Sequence, residues 1–256
     1  MWEVSNPKLV NLEPEWAWFP GFSLLFENPG QSVTRVDSLG RVNCQVSVDP
    51  ALGLYRALAE GVEELGGDAL KTKFSLCRLP TESFHVTVFD GGNAGVVESM
   101  NPGHRLQLEK LLGGLPSGWD DQNDLVNPLS SSELTADDRG EIRFRYGRLF
   151  VWGNSVLAVR LEAADAESEA NLDRLVTDRA KLSEQCRSEF GFGAGPKYTP
   201  HVSLGYFANE SGGALAAEEC EKWDELLKHK TLGLQIAFSK IRVFGFTDMA
   251  TFFRAW

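Results

Sequence analysis

Positive charge is scarce in this sequence. Against 36 acidic residues stand 25 Lys and Arg, a formal net charge of −11 over 256 residues. A protein whose main task is gripping duplex nucleic acid presents a broad basic surface. The charge therefore argues against duplex binding, and any phosphate ligand should be small or held at a local basic patch. Long apolar runs are missing too: none approaches the ~20 residues of a membrane helix. Met1–Pro20 lacks the basic-then-apolar order of a secretory signal, so the expectation is a cytoplasmic protein without a membrane partner. Cys44, Cys77, Cys186 and Cys220 are scattered, with no CxxC, and read as reduced thiols rather than a disulfide frame. There is no HExxH and no carboxylate cluster to complete a three-ligand zinc site. Asp90, five positions after His85, has the opposite strand parity and is expected to point away from it. Gly191, Gly193 and Gly195 precede a strand instead of opening a helix, so no dinucleotide fingerprint exists. The expectation is no metal and no cofactor.

What the chain does have is a pair of matching segments. Phe84-His85-Val86-Thr87-Val88 and Pro200-His201-Val202-Ser203-Leu204 each set a histidine two positions before a hydroxyl, interleaved with aliphatic residues. In an extended strand, residues i and i+2 share a face. His85 with Thr87, and His201 with Ser203, should face a common cleft while Val86, Val88, Val202 and Leu204 pack inward. An imidazole titrates near neutrality, so one ring can start as base and the other as acid around a phosphate. The hydroxyls would donate to non-bridging oxygens. One His-x-Thr is ordinary strand composition; two with the same parity are the signal. His104 and His229 have no hydroxyl at strand spacing and read as surface residues near helix ends.

Along the chain, Pro20–Phe26 reads as a strand, as does Arg41–Val48; Asp49-Pro50 starts a helix that Gly66-Gly67 stops. Phe84–Phe89 is the first motif strand, and a helix follows from about Pro102 to Leu112. Gly113–Gly140 has no periodicity and reads as a loop insertion, with a lid over the cleft as one role. Glu141–Leu161 is a hairpin turning at Gly153-Asn154. Ala166–Phe190 is a helix, then come the second motif strand, a helix over Ala214–Lys228 and a final strand over Leu232–Phe246. The fold class expected is α+β, with two antiparallel-rich sheets facing a central cleft and helices outside. Residues 1–256 form a single bilobal domain, each half contributing one motif.

Basic candidates for the patch are Lys71, Lys73 and Arg78, then Arg143, Arg145 and Arg148, and Lys197 beside the second motif. Phe84, Phe89, Tyr198 and Tyr206 could stack on a base, though core packing competes for each. The first ~40 residues hold Trp2, Trp16 and Trp18, of which Trp16 and Trp18 read as core.

The two tetrapeptides His85-Val86-Thr87-Val88 and His201-Val202-Ser203-Leu204 resemble the signature of the 2H phosphoesterase superfamily. The stretch Pro20–Phe89, and Leu79–Gly91 above all, further resembles a poorly characterised bacterial branch related to RNA 2′,3′-cyclic phosphodiesterases. The resemblance implies a bilobal fold and a metal-independent mechanism, with catalytic His85, His201, Thr87 and Ser203 in the roles given above. Around them, Tyr198, Lys197, Phe89, Tyr206, Arg143 and Arg145 are the substrate-binding candidates. The ligand expected is a nucleotide or short RNA, and the protein a monomer. A module of the same fold that binds a nucleotide without cleaving it, and a structural protein with incidental histidines, are the competing readings.

Overall fold

The computed structural model describes residues 3–11 and 15–256, so Trp2 lies outside the described residues. Its strands are β1 (Gly21–Phe26), β2 (Val33–Val36), β3 (Leu39–Val42), β4 (Leu76–Arg78), β5 (Thr87–Asn93), β6 (Ile142–Trp152), β7 (Val156–Ala163), β8 (His201–Phe207), β9 (Gln235–Phe238), β10 (Ile241–Asp248) and β11 (Thr251–Ala255). The helices are α1 (Gly53–Glu64), α2 (Gly67–Phe74), α3 (Pro102–Gly113), α4 (Asn127–Ser130), α5 (Ala166–Phe190) and α6 (Glu210–Lys230). One sheet runs β2-β3-β11-β10-β1-β5 and the other β4-β8-β7-β6-β9, with antiparallel pairing throughout. The mixed α+β class with two antiparallel sheets is as expected.

Local chemistry explains most boundaries. Asp49 caps its turn by accepting from the Ala51 N–H, and Leu54, Tyr55, Leu58 and Val62 bury one face of α1. Gly66, at φ +95°, ends α1, but α2 begins at once, which the sequence pattern did not show. Asp165 caps α5 and Gly191, at φ +90°, ends it. The hairpin β6–β7 turns through Gly153 and Asn154, both in the left-handed region.

Three expectations change. The strand expected over 41–48 stops at Val42, because the chain leaves the sheet there and the Cys44 N–H donates to the Glu82 carbonyl instead. The single final strand expected over 232–246 is two: β9 joins β6 in one sheet, and β10 joins β1 in the other. The polar Ser239-Lys240 pair marks that switch without a glycine or proline to announce it. Finally, 113–140 is not a lid. Leu125, Val126, Leu129 and Leu134 are buried core, and Trp119 packs edge-on against Phe253. Phe253 and Phe252 are neighbours on β11 and so face opposite sides; Phe252 touches His85. The insertion therefore backs the sheet on the side away from that histidine.

The two halves are tied to each other by their motif-bearing segments. β4, immediately before the first motif, pairs with β8, the second motif strand, and the Leu79 N–H continues that ladder to the Leu204 carbonyl. Conversely Tyr198, just before the second motif, donates its hydroxyl to the Thr87 carbonyl at 2.9 Å. Each motif is held by the segment that leads into the other.

Buried Asn28 fixes the approach to His85. Its amide donates to the Phe84 carbonyl at 2.8 Å, and its carbonyl oxygen accepts from the buried Tyr55 hydroxyl at 2.9 Å. Asn28→Ala leaves the buried Tyr55 hydroxyl without its acceptor and the Phe84 carbonyl with only the weak Cys44 thiol donor at 3.4 Å. We expect a loss of about 2–4 kcal/mol in urea unfolding; a change under about 0.5 kcal/mol would show that these bonds do not support the segment.

Candidate active site

The parity read from sequence holds at both motifs. Val86, Val88, Val202 and Leu204 are buried, whereas His85, Thr87, His201 and Ser203 are half-buried. His201 and Ser203 lie within β8, but β5 begins only at Thr87. The first motif strand starts later than expected because the Phe84 carbonyl is taken by the Asn28 side chain rather than by a neighbouring strand.

The imidazoles are set identically. His85 Nδ1 lies 2.8 Å from the Ser83 carbonyl oxygen and His201 Nδ1 lies 2.9 Å from that of Thr199. A carbonyl only accepts, so each Nδ1 carries the proton, and in the neutral ring each Nε2 is a bare lone pair. Phe252 flanks the His85 ring at 4.1 Å between centroids, and Trp152 flanks His201 at 5.0 Å. The rings are near enough for charge on His201 to disfavour charge on His85. Burial is the larger cause and takes the His85 pKa down to about 4. Burial also lowers His201, with a smaller push from Lys8, while the hydrogen bond it donates to the Thr199 carbonyl and the Asp90 carboxylate raise it.

Asp90 corrects an expectation. Between Thr87 and Phe89 the register against β1 advances two residues for one, a β-bulge at Val88 that inverts the later parity. Thr87 pairs with Leu25 and Asp90 with Ser23, so the two share a face, and Asp90 is turned toward the cleft. The same inversion sends Phe89 inward, where it is 0% exposed; it is no stacking platform. A second bulge, at Leu204 against β7, repeats the device and keeps Tyr206 on the face of Ser203. Tyr206 is nonetheless packed, edge-on against Trp16 and under the Lys8 ammonium at 4.8 Å.

Other candidates divide clearly. Tyr198 is a tie between motifs, its ring covered by the Arg179 guanidinium, which itself donates to the Val88 carbonyl. Lys197 is exposed beside it. Arg143 is occupied by Glu141, Asp165 and Glu167, and Arg145 by Glu162, so neither offers free charge to a substrate. Lys73 and Arg78 are likewise paired, with Glu219 and Glu63. Trp18 is exposed rather than core, and His104 packs against Phe190. Sequence reasoning missed Asp90 as a cleft residue, and passed over Lys8, Trp152 and Arg160. Bulges and cross-strand register bring Asp90, Trp152 and Arg160 to the site, and the N-terminal segment lays Lys8 over Tyr206. Among the described residues no group of three or more His, Cys, Asp or Glu side chains is placed to hold a metal ion.

No family model and no curated protein sequence matches the chain. Among solved structures it is similar to a conserved protein of unknown function from Agrobacterium tumefaciens str. C58, with 14% identity over 94% of this chain and 87% of that one, at a TM-score of 0.52. It also aligns with Kluyveromyces marxianus Usb1, solved with uridine monophosphate, at 12% identity over 92% of this chain and 99% of that one. The TM-score there is 0.38, too loose to carry an argument. The first likeness is one of fold alone.

The histidine electrostatics predict how stability varies with pH. The folded His85 pKa of about 4 lies below the ordinary 6.5, so the unfolded chain takes up the proton first. The contribution is full above pH 6.5, declines as pH falls toward about 4, and is flat below that. Tm should therefore drop more steeply across this window in the wild type than in His85→Gln. Parallel curves for the two proteins would contradict the assigned burial.

Proposed function

We propose that the protein is a metal-independent phosphodiesterase of the 2H type, a single bilobal, monomeric domain. Its substrate would be a 2′,3′-cyclic phosphate end or a cyclic or short oligonucleotide. The observation that carries this reading is the twinned Nδ1–H to carbonyl bond, which leaves two bare Nε2 atoms at one cleft with a hydroxyl beside each. The motif pair resembles the 2H signature, and Leu79–Gly91 supports a place in its bacterial branch.

In the proposed reaction His85 is the base. Its low pKa keeps it neutral at pH 7, so Nε2 can take the proton from an attacking water as oxygen bonds to phosphorus. His201 is the acid. The Asp90 carboxylate favours its protonated form, and it delivers that proton to the leaving ribose oxygen as the P–O bond breaks. Bound phosphate adds a negative charge that raises both imidazole pKa values in the complex. Thr87 and Ser203 donate to the non-bridging oxygens as charge builds there. The net change is one P–O bond exchanged and one proton carried from one histidine side to the other, after which solvent resets the pair.

The test is product analysis on a panel of 2′,3′-cyclic mononucleotides, cyclic dinucleotides and RNA ends, with EDTA present and absent. His85→Ala and His201→Ala should each lose about 10²–10⁴-fold in kcat while melting like the wild type, and EDTA should change nothing. In Asp90→Asn the alkaline limb of the kcat/KM profile, set by the proton donor, should move to lower pH. Full turnover in the double-alanine protein would end the proposal. Saturable binding with no product at any pH would leave a nucleotide-binding module in its place.

A further inference from the structure

β6 and β7 carry an unneutralised pair of arginines beside the second histidine. Arg148 and Arg160 are directly opposite each other across the two strands, and Arg160 is in turn opposite His201 on β8. Directly paired residues share a sheet face, so both guanidiniums stand on the face that presents His201. Like charges placed opposite one another are destabilising. On the neighbouring stretch of β6 the chain does neutralise such groups: Arg143 and Arg145 both meet carboxylates. In a chain of net charge −11, Arg148 and Arg160 are both exposed and meet none among the described residues.

The same two arginines line a pocket of about 210 Å³ with Phe150, Trp152 and Thr199. Trp152 is 48% exposed, unusual for so large an apolar ring, and it leans toward His201 past β7, where Ala158 offers only a methyl group. Thr199 supplies the carbonyl that orients His201, so the pocket adjoins the imidazole. Strands lie ~4.8 Å apart, which sets Arg160 one strand and Arg148 two strands from His201, roughly 5–10 Å. That separation is of the order of one nucleotide step.

We propose that this pocket is a subsite for a second phosphodiester and its base. Arg148 and Arg160 would take the phosphate one nucleotide from the reacting one, and Trp152 would stack on the base between. The inference rests on the phosphodiesterase reading and narrows it: the ligand is a single-stranded oligonucleotide of at least two nucleotides, not an isolated cyclic mononucleotide.

The test is equilibrium binding, which does not require turnover, so an inactive protein would count against the chemistry and not against this pocket. Isothermal titration would compare a dinucleotide bearing a 3′-phosphate with the corresponding mononucleoside 3′-phosphate. In the wild type the dinucleotide should bind at least about tenfold tighter, with a steeper salt dependence. In Arg148→Ala/Arg160→Ala that advantage should vanish, and Trp152→Ala should lose a good part of it. The double-alanine protein should melt no lower than the wild type, since it removes a repulsion. Equal affinity of the wild type for both ligands, or an advantage retained by the double-alanine protein, would overturn the proposal. A lower Tm with the advantage intact would assign the arginines a structural role and overturn it equally.

Discussion

The site depends on a reciprocal constraint between two distant pieces of chain. β4, which leads into His85, is a strand of the sheet that holds His201, and Tyr198, which leads into His201, is bonded to the backbone of Thr87. Neither motif can drift without pulling on the other's anchor. Two groups that are to act together need a held geometry, and a crossed arrangement supplies that from backbone hydrogen bonds and one half-buried phenol. Arg179 strengthens it, donating to the Val88 and Gly195 carbonyls and so joining α5 to the bulged strand and to the loop before the second motif.

Bulges then select what faces the cleft. Val88 and Leu204 are each the residue after the hydroxyl, and each is pushed out of register. The motifs thus keep alternation for three residues, then exchange faces. Asp90 is gained on one side and Tyr206 retained on the other, and Phe89 is given up to the core. The electrostatic asymmetry between the two histidines follows. His85 sits against Phe252 in mostly apolar surroundings, whereas His201 has Asp90 and Lys8 within reach and Trp152 at its edge. Burial lowers the pKa of both rings, and only at His201 does a neighbouring carboxylate, that of Asp90, oppose it.

Much of this was legible in the sequence, and what was not has identifiable causes. The helices α1, α3, α5 and α6 follow from apolar spacing with Asp49, Asp165, Gly66 and Gly191 at their ends, and the hairpin follows from Gly153-Asn154. The inward and cleft-facing residues of both motifs follow from alternation alone. Alternation fails where a bulge inserts a residue, and nothing in Val88 or Leu204 announces one; hence strand parity alone puts Phe89 and Asp90 on the opposite faces from those they occupy. Sheet membership was equally hidden. Ser239-Lys240 carries the chain from one sheet to the other with no turn residue, and the pairing of β4 with β8 is a long-range choice made by packing. Arg143 and Arg145 looked like Arg148 in sequence. Only register against β7 and the reach of Glu141, Asp165, Glu167 and Glu162 separate the neutralised pair from the free one.

The central claim is that two imidazoles, each with its proton held on Nδ1, present bare Nε2 atoms to a single phosphorus. Nitrogen-15 NMR of histidine-labelled protein, titrated with inorganic phosphate, tests it most directly. The account predicts that His85 and His201 both show the Nδ1–H tautomer in the free protein, and that both Nε2 signals shift along one binding curve with a common Kd. An Nε2–H tautomer at either residue, or a response confined to one ring, would contradict it.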